Sequence, residues 1–325
     1  EIKSSLSNAI QSQMISDVPL GAFLSGGIDS SLITALMQEH SPNKIKTFTI
    51  GFEESSFDES VYAKKVANHL GTNHSEYFVT SNETLDVIPQ MPFIYDEPFA
   101  DSSQIPTHLV CKQAKEKVTV AISGDGGDEV FGGYNRYFWS PRIWSKLRWI
   151  PYPMRKIVGS SVIGAPKSLF QNIENFYNFV IPKKYEVYQF EDKLKKLSER
   201  LKYVKTESDL YESLVTQWHD PSLILKDFDD DFIDVNYPIN TNLISHPPSQ
   251  MMYWDTLTYL PDDILCKVDR AAMSVSLETR APFLDHRLVE LAWRLPHSLK
   301  INNYHGKIIL RDILDEYIPK NLIFI

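Results

Sequence analysis

The chain has 325 residues, 43% hydrophobic and 23% charged, which is ordinary globular usage and enough to bury a full core without disulfide or metal staples. Its net charge of −9 argues against general nucleic-acid binding, which needs a basic footprint. Its two cysteines, Cys111 and Cys266, form neither a disulfide framework nor a CxxC zinc site, and read as buried small apolar residues. A reducing cytoplasm is expected. No apolar run reaches the ~18 residues of a membrane span, and no membrane association is expected. No signal-peptide pattern opens the chain. The start at Glu1 and the stop at Ile325 within an apolar stretch suggest a piece of a longer protein.

In chain order, Ile2, Leu6, Ile10 and Met14 mark one stripe of a helix over residues 1–16. The apolar run Ala22-Phe23-Leu24 reads as a strand, Ser25 to Ser31 as a glycine-rich turn, and the residues to about Gln38 as a helix. Residues 45–51 are rich in β-branched and aromatic types and predict a buried strand. A helix over 58–70 with Gly71 as its stop, a strand over 74–79, a helix over 104–116 and a strand over 118–122 follow. The last strand again runs into a glycine-rich turn, SGDGGDE. This alternation predicts an α/β fold, a twisted parallel sheet with helices on both faces. From about residue 139 the pattern turns helical, aromatic and locally basic, and 251–280 reads as dense helix. The expected division is an α/β core over 1–138 and a mainly helical extension over 139–325 that packs back on it.

Two turns concentrate the chemistry. SGGIDSS after a strand and before a helix places free backbone N–H groups at a helix N-terminus, where the helix dipole adds positive character. Gly26 and Gly27 let an anion approach the backbone, and Ser25, Ser30 and Ser31 add hydroxyl donors, so the turn reads as a phosphate cradle. It lacks the lysine of the GxxxxGK[ST] loop, so charge neutralisation is expected from a metal, with Mg²⁺ held in part by Asp29. In the second turn, Asp125, Asp128 and Glu129 cluster beside four glycines, which invites a metal and a closely approaching ligand.

LSGGIDSS resembles the pyrophosphate loop of the ATP pyrophosphatase superfamily. SGDGGDEVFGGYNRY (123–137), LPDDILCKVDRAAMSVSLETRAPFLDHRLVE (260–290), DEPFADSSQIPT (96–107) and FTIGFEESSFDES (48–60) are similar to the synthetase domain of glutamine-hydrolysing asparagine synthetases, and the resemblance covers essentially the whole chain. It implies an adenine-nucleotide α-hydrolase-like sheet and ATP-dependent formation of aspartyl-AMP, with release of pyrophosphate and attack by ammonia to give asparagine. Leu24 would offer backbone contacts to the adenine nucleotide, and Ile50, ahead of Gly51, would line the adenine pocket. Ser123 and Gly124 would complete the AMP contact. Asp29 and Asp128 would bind Mg²⁺ and pyrophosphate, and the family's acidic residue linked to adenylate formation falls on Asp125. The same resemblance implies a cysteine-led glutaminase domain before this stretch, and a lysine beyond the IPK segment that stabilises adenylation. With neither inside residues 1–325, the stretch alone is expected to bind nucleotide with little or no turnover. A homodimer is one assembly the resemblance allows. Another carboxylate acceptor, as in lactam synthetases or sugar amidotransferases, and a non-catalytic nucleotide-binding module both stay open.

Phosphoryl transfer also needs positive groups. Lys267 and Arg270, three apart on a predicted helix, share a face and are candidates, although a surface ion-pair cluster has the same pattern. Arg280 reads as structural, Asp285 as a cap, and His108 as a partnered structural histidine. The acidic run 227–234 reads as a solvated loop, and the aromatic, basic stretch 139–156 as core packing of a helical insertion, although a membrane surface shares that composition.

Overall fold

Among the described residues, five parallel strands organise the chain, in the spatial order Asn73–Val79, Lys46–Phe52, Leu20–Phe23, Val120–Ile122 and Glu278–Arg280. The computed structural model describes residues 1–52, 59–166, 170, 190–216, 225–226, 244–302 and 304–323. The acidic run at 227–234, His219 and part of the FEESSFDES motif lie outside the described residues.

The expected strands are present as β1 (Leu20–Phe23), β2 (Lys46–Phe52), β3 (Asn73–Val79) and β4 (Val120–Ile122), with α1 (Ile2–Gln13), α2 (Ile28–His40), α3 (Ser60–Leu70), α4 (Ser81–Val87), α5 (Met91–Tyr95) and α6 (Gln104–Lys115) among them. Successive strand residues face opposite sides of a sheet, so each strand feeds two cores. Ala22 and Ile122 join one buried cluster with Leu6, Leu32 and Leu36. Phe48 and Ala121 join the other with Cys111 and Ala114. Helices therefore cover both faces, as the alternation of elements requires. α3 ends at Gly71 in the left-handed conformation, and Thr80 starts α4 with a reciprocal capping box to Glu83.

A short helix α7 (Gly127–Phe131) follows β4, and α8 (Arg136–Leu147), α9 (Tyr152–Ile163), α10 (Phe190–Tyr203) and α11 (Glu207–Val215) come next. The chain then returns through α12 (Pro247–Leu257), α13 (Cys266–Met273), α14 (His286–Arg294) and α15 (Ile308–Leu314). Two compact units result, one of 1–134 with 240–325 and the other of 135–239. The extension expected over 139–325 is thus divided, because residues 240–325, nearly half of it, supply a strand and core helices to the first unit. That strand, β5 (Glu278–Arg280), corrects the helical reading of 251–280. Its sequence carries no apolar alternation. Backbone pairing recruits it to the sheet, as Glu278 N–H donates to Thr119 O at 2.9 Å and Ser123 N–H donates to Arg280 O at 2.8 Å.

Arg280 fastens this strand to α1. Its guanidinium donates to Gln13 O at 2.6 Å and Ile15 O at 2.8 Å, while Nε pairs with Glu278 at 2.6 Å. Charged donors on C-terminal helix carbonyls are favourable. Arg280→Ala is expected to lower stability by about 2 kcal/mol, read as a lower urea midpoint, since two charge-assisted bonds are lost at once.

Candidate functional site

The strand order reverses between β1 and β4, and the loops leaving their carboxyl ends are SGGIDSS and SGDGGDE. Open parallel sheets bind ligands at that place. The first loop turns at Gly26, whose φ of +81° is left-handed, and a Cβ there would come within 2.7 Å of Ala63 N. Gly27 then leads into α2, whose first turn carries Asp29. Ser25 and Ser30 share a hydroxyl hydrogen bond of 3.0 Å at the loop rim, and Gly27 N–H donates to Ser25 Oγ at 3.3 Å. Ser31 differs from them: it is fully buried and its hydroxyl has no partner among the described residues, so it faces the interior rather than the rim.

The second loop closes on the first. Gly124 stands against Asp29, with 3.1 Å from its would-be Cβ to Asp29 Cβ. Between the loops lies Lys307, which the sequence reading missed. Its ammonium pairs with Asp29 Oδ2 and, at 2.7 Å, with Asp128 Oδ1. The cradle therefore has a lysine, which corrects the expectation that a metal alone would neutralise charge. Lys307 arrives from 278 residues along the chain. It sits in the left-handed conformation, φ +56°, just before α15, and its N–H is anchored to Phe131 O at 3.2 Å. The Gly-Lys pair ahead of an apolar helix was the only local signal. Gly133 leaves it room, because a Cβ there would come within 2.2 Å of Lys307 Cε.

Burial pushes Asp29 up to about 6, with Asp128 adding to the rise and Lys307 opposing it. Burial alone would lower Lys307, but Asp29 and Asp128 reverse that and hold it above the usual lysine range. Asp29 Oδ1 is buried and unpartnered among the described residues. That open oxygen, next to Asp128, fits one or two carboxylate ligands of a Mg²⁺ ion whose other ligands are phosphate and water oxygens.

Ser123 and Asp125 help line a cavity of about 390 Å³ together with Cys266, Asp269, Thr279 and Arg280. Ser123 Oγ donates to Asp125 Oδ2 at 2.5 Å. Burial raises the Asp125 carboxyl above its ordinary value, against the pull of Ser123 and Lys267. A π-helical stretch, Leu260–Leu265, leads into α13 beside this cavity. On α13, Lys267 is buried and pairs with Asp101 at 2.5 Å. Burial opposes the charge on Asp101, but bonds from Lys267 and Ser103 outweigh it and lower that carboxyl. Arg270 goes elsewhere. It is partly exposed, donates to Tyr95 O, and pairs with Glu97 at 2.7 Å. The two cations share the DEPFADSS segment as a partner, but only Lys267 lies near the cavity acid.

Leu24 and Ile50 sit at the ends of β1 and β2. Leu24 is buried, and its N–H donates to Phe48 O at 2.9 Å. Ile50 packs against the cluster of Val79, Val87 and Leu109, and Gly51 lets the Phe78 ring approach, with 2.7 Å left for a Cβ. Asp285 caps α14 through Arg287 N–H and is held at about 2, chiefly by the Arg287 side chain. His108 is buried against Ser274 Oγ at 3.1 Å. Among the described residues, no group of three or more His, Cys, Asp or Glu forms a complete metal cage.

A family model for asparagine synthase matches residues 1–324. The chain belongs to that family. It is 32% identical to asparagine synthetase [glutamine-hydrolyzing] 1 of Bacillus subtilis, over 99% of this chain and 48% of that protein. It is 42% identical to putative asparagine synthetase [glutamine-hydrolyzing] 2 of Methanocaldococcus jannaschii, over 54% of this chain and 34% of that one. Asparagine synthetase B of Escherichia coli matches at 33% over 43% of this chain. The chain spans about half the length of the first of these relatives.

Lys307→Met leaves Asp29 and Asp128 facing each other, with an expected loss of about 3 kcal/mol at pH 8. The loss should shrink toward pH 5 as Asp29 takes up a proton, and Asp29→Asn in the same chain should restore most of it, as measured by urea denaturation. Glu129 is buried, accepts from Tyr134 Oη at 2.5 Å, and is pushed by burial to about 7. Between the ordinary carboxyl value and about 7, the folded chain holds a proton that the unfolded chain has released. This group's contribution to stability therefore falls as pH rises, by about 3 kcal/mol in all. Glu129→Gln should be more stable than the parent at pH 8 by up to that amount, with the gap closing by pH 5.

Proposed function

We propose that this chain activates a carboxylate by AMP transfer from ATP and hands the resulting acyl-adenylate to ammonia. The acceptor is the side chain of aspartate, and the products are asparagine, AMP and pyrophosphate. The observation that carries this reading is the meeting of the Gly26-Gly27 turn, Asp29, Asp128 and Lys307 at the β1–β4 reversal, beside a cavity that holds Asp125.

The chemistry divides along that line. A free carboxylate is a poor electrophile, and joining it to AMP supplies a good leaving group. The turn and the start of α2 would hold the departing pyrophosphate through backbone N–H groups and the Ser25 and Ser30 hydroxyls. Lys307 would neutralise part of its charge, as transferring phosphoryl groups require. Leu24, Ile50 and Gly51 would bound the adenine, and Ser123 and Gly124 the AMP phosphate. Asp125 would face the reacting carboxylate from the cavity, with the Lys267 charge acting on it from nearby. Arg270 would act through the DEPFADSS segment rather than on the reacting atoms.

Asp29, Asp128 and Lys307 together carry one net negative charge when all are ionised. A polyphosphate would meet that charge unfavourably, which supports a divalent cation held by Asp29 and Asp128. Bound there, Mg²⁺ would supply the remaining charge neutralisation. Neither cysteine suits glutamine hydrolysis: burial pushes the Cys111 thiol up to about 12 and raises Cys266 as well. Ammonia therefore comes from glutamine at another active site or from solution.

Isothermal titration with Mg-ATP is expected to show binding that Asp29→Asn weakens by roughly tenfold or more, with loss of its Mg²⁺ dependence. Pyrophosphate release that needs both ATP and aspartate, with ammonium present so that AMP is freed one for one, tests the acceptor. Release that another carboxylate stimulates and aspartate does not would reassign the substrate.

A further inference from the structure

The strongest feature outside the site lies in the unit of residues 135–239. Residues 136–166 carry six Lys or Arg and no Asp or Glu, within a chain of net charge −9. Core packing, the expectation for this aromatic stretch, holds for only part of it. Tyr137 is buried, and Arg155 lies 5.5 Å from the Trp144 ring. Trp149, in contrast, is 80% exposed and Trp139 61% exposed.

α9 shows why this surface is unusual. One side of the helix is already occupied by α10. Arg155 donates to Val204 O at 3.0 Å, Tyr152 to Lys202 O at 2.7 Å, and a Cβ on Gly159 would come within 2.5 Å of Ser198 O. The opposite side would ordinarily be polar. It carries Met154, Ile157 and Val158 instead, at i, i+3 and i+4, each more than half exposed. Trp149 and Ile150 precede this stripe and are exposed too. Lys146 and Arg148 precede it on the surface, with the Arg148 guanidinium 5.9 Å from the Trp149 ring.

We propose that this face docks on a lipid bilayer rich in anionic headgroups, with α9 lying in the interface. Charge complementarity selects that occupant. A phosphate-bearing polymer would use the cations but leave the aliphatic stripe in water, and an apolar protein groove would bury the stripe but strand the cations. Headgroups over acyl chains match both, and a tryptophan beside arginine suits the boundary between them. Among the described residues no helix is long and apolar enough to cross a membrane, so the attachment is peripheral.

The test is co-sedimentation of the full chain with vesicles of phosphatidylcholine, with and without about one-third phosphatidylglycerol. Binding to the anionic vesicles is expected to exceed binding to the neutral ones by roughly tenfold and to weaken with added salt. Trp149→Ser with Ile157→Ser should cut it by about tenfold, and so should Lys146→Glu with Arg148→Glu. All four side chains are solvent-facing, and an unchanged circular dichroism spectrum and ATP affinity would show that the variants fold. If the apolar variant does not fold, the charge variant decides alone. No binding, equal binding to both vesicles, or variants that bind like the parent would overturn the proposal. So would a parent dimer on gel filtration that Trp149→Ser makes monomeric, because the face would then be a contact between copies of this chain. Tighter binding to duplex DNA than to anionic vesicles would overturn it as well.

Discussion

The ion pairs from Lys307 to Asp29 and Asp128 are the constraint on which the rest of the first unit depends. Three ionisable groups from three distant segments meet in a largely buried space, where desolvation is costly and only close pairing offsets it. Each segment must be delivered accurately. α2 brings Asp29 from the end of β1, α7 brings Asp128 from the end of β4, and the left-handed backbone at Lys307 turns its side chain between them. α15 then packs onto the main core through Leu310, Ile313 and Leu314, which fixes the position of the lysine.

The sheet order supplies the place where those segments can meet. β1 is central, with β2 on one side and β4 on the other, so the loops after β1 and β4 leave side by side. Glycines let two backbones and a lysine share that gap. The loop after β4 also brings Ser123 and Asp125 into one cavity with Cys266 and Asp269 of α13.

The elements most legible in the sequence were those written locally. β1 to β4 are apolar runs bounded by turns, and the two glycine-rich loops carry their own chemistry. β5 was not legible, because Glu278, Thr279 and Arg280 form a strand only by pairing with β4. Lys307 was missed for a related reason: a lysine before a helix is ordinary until the fold sets it against two carboxylates 278 and 179 positions earlier. The return of residues 240–325 to the first unit is likewise a tertiary fact, decided by which core takes Phe283, Leu288 and Leu310. Lys267 and Arg270 show the limit of helical spacing as an argument. Three residues along a helix leave an offset of about 60° around its axis, enough to bury one side chain and leave the other at the surface.

Asp29, Asp125 and Glu129 all have their carboxyls raised, in each case mainly by burial. A fold selected for stability alone would replace such groups with apolar residues of similar size. Their placement on the two loops that meet at the strand reversal therefore points to function, since perturbed acids concentrate where charge is to be handled. The balance is also asymmetric: one lysine serves two of the acids in the cradle, whereas among the described residues Asp125 is eased by a serine hydroxyl and the charge of Lys267. A cation arriving with a polyphosphate would offset the desolvation cost of Asp29 and Asp128 while leaving Asp125 comparatively uncompensated. Asp125, raised by burial and lining the cavity beside α13, is therefore the acid of the three whose charge the surrounding residues offset least directly.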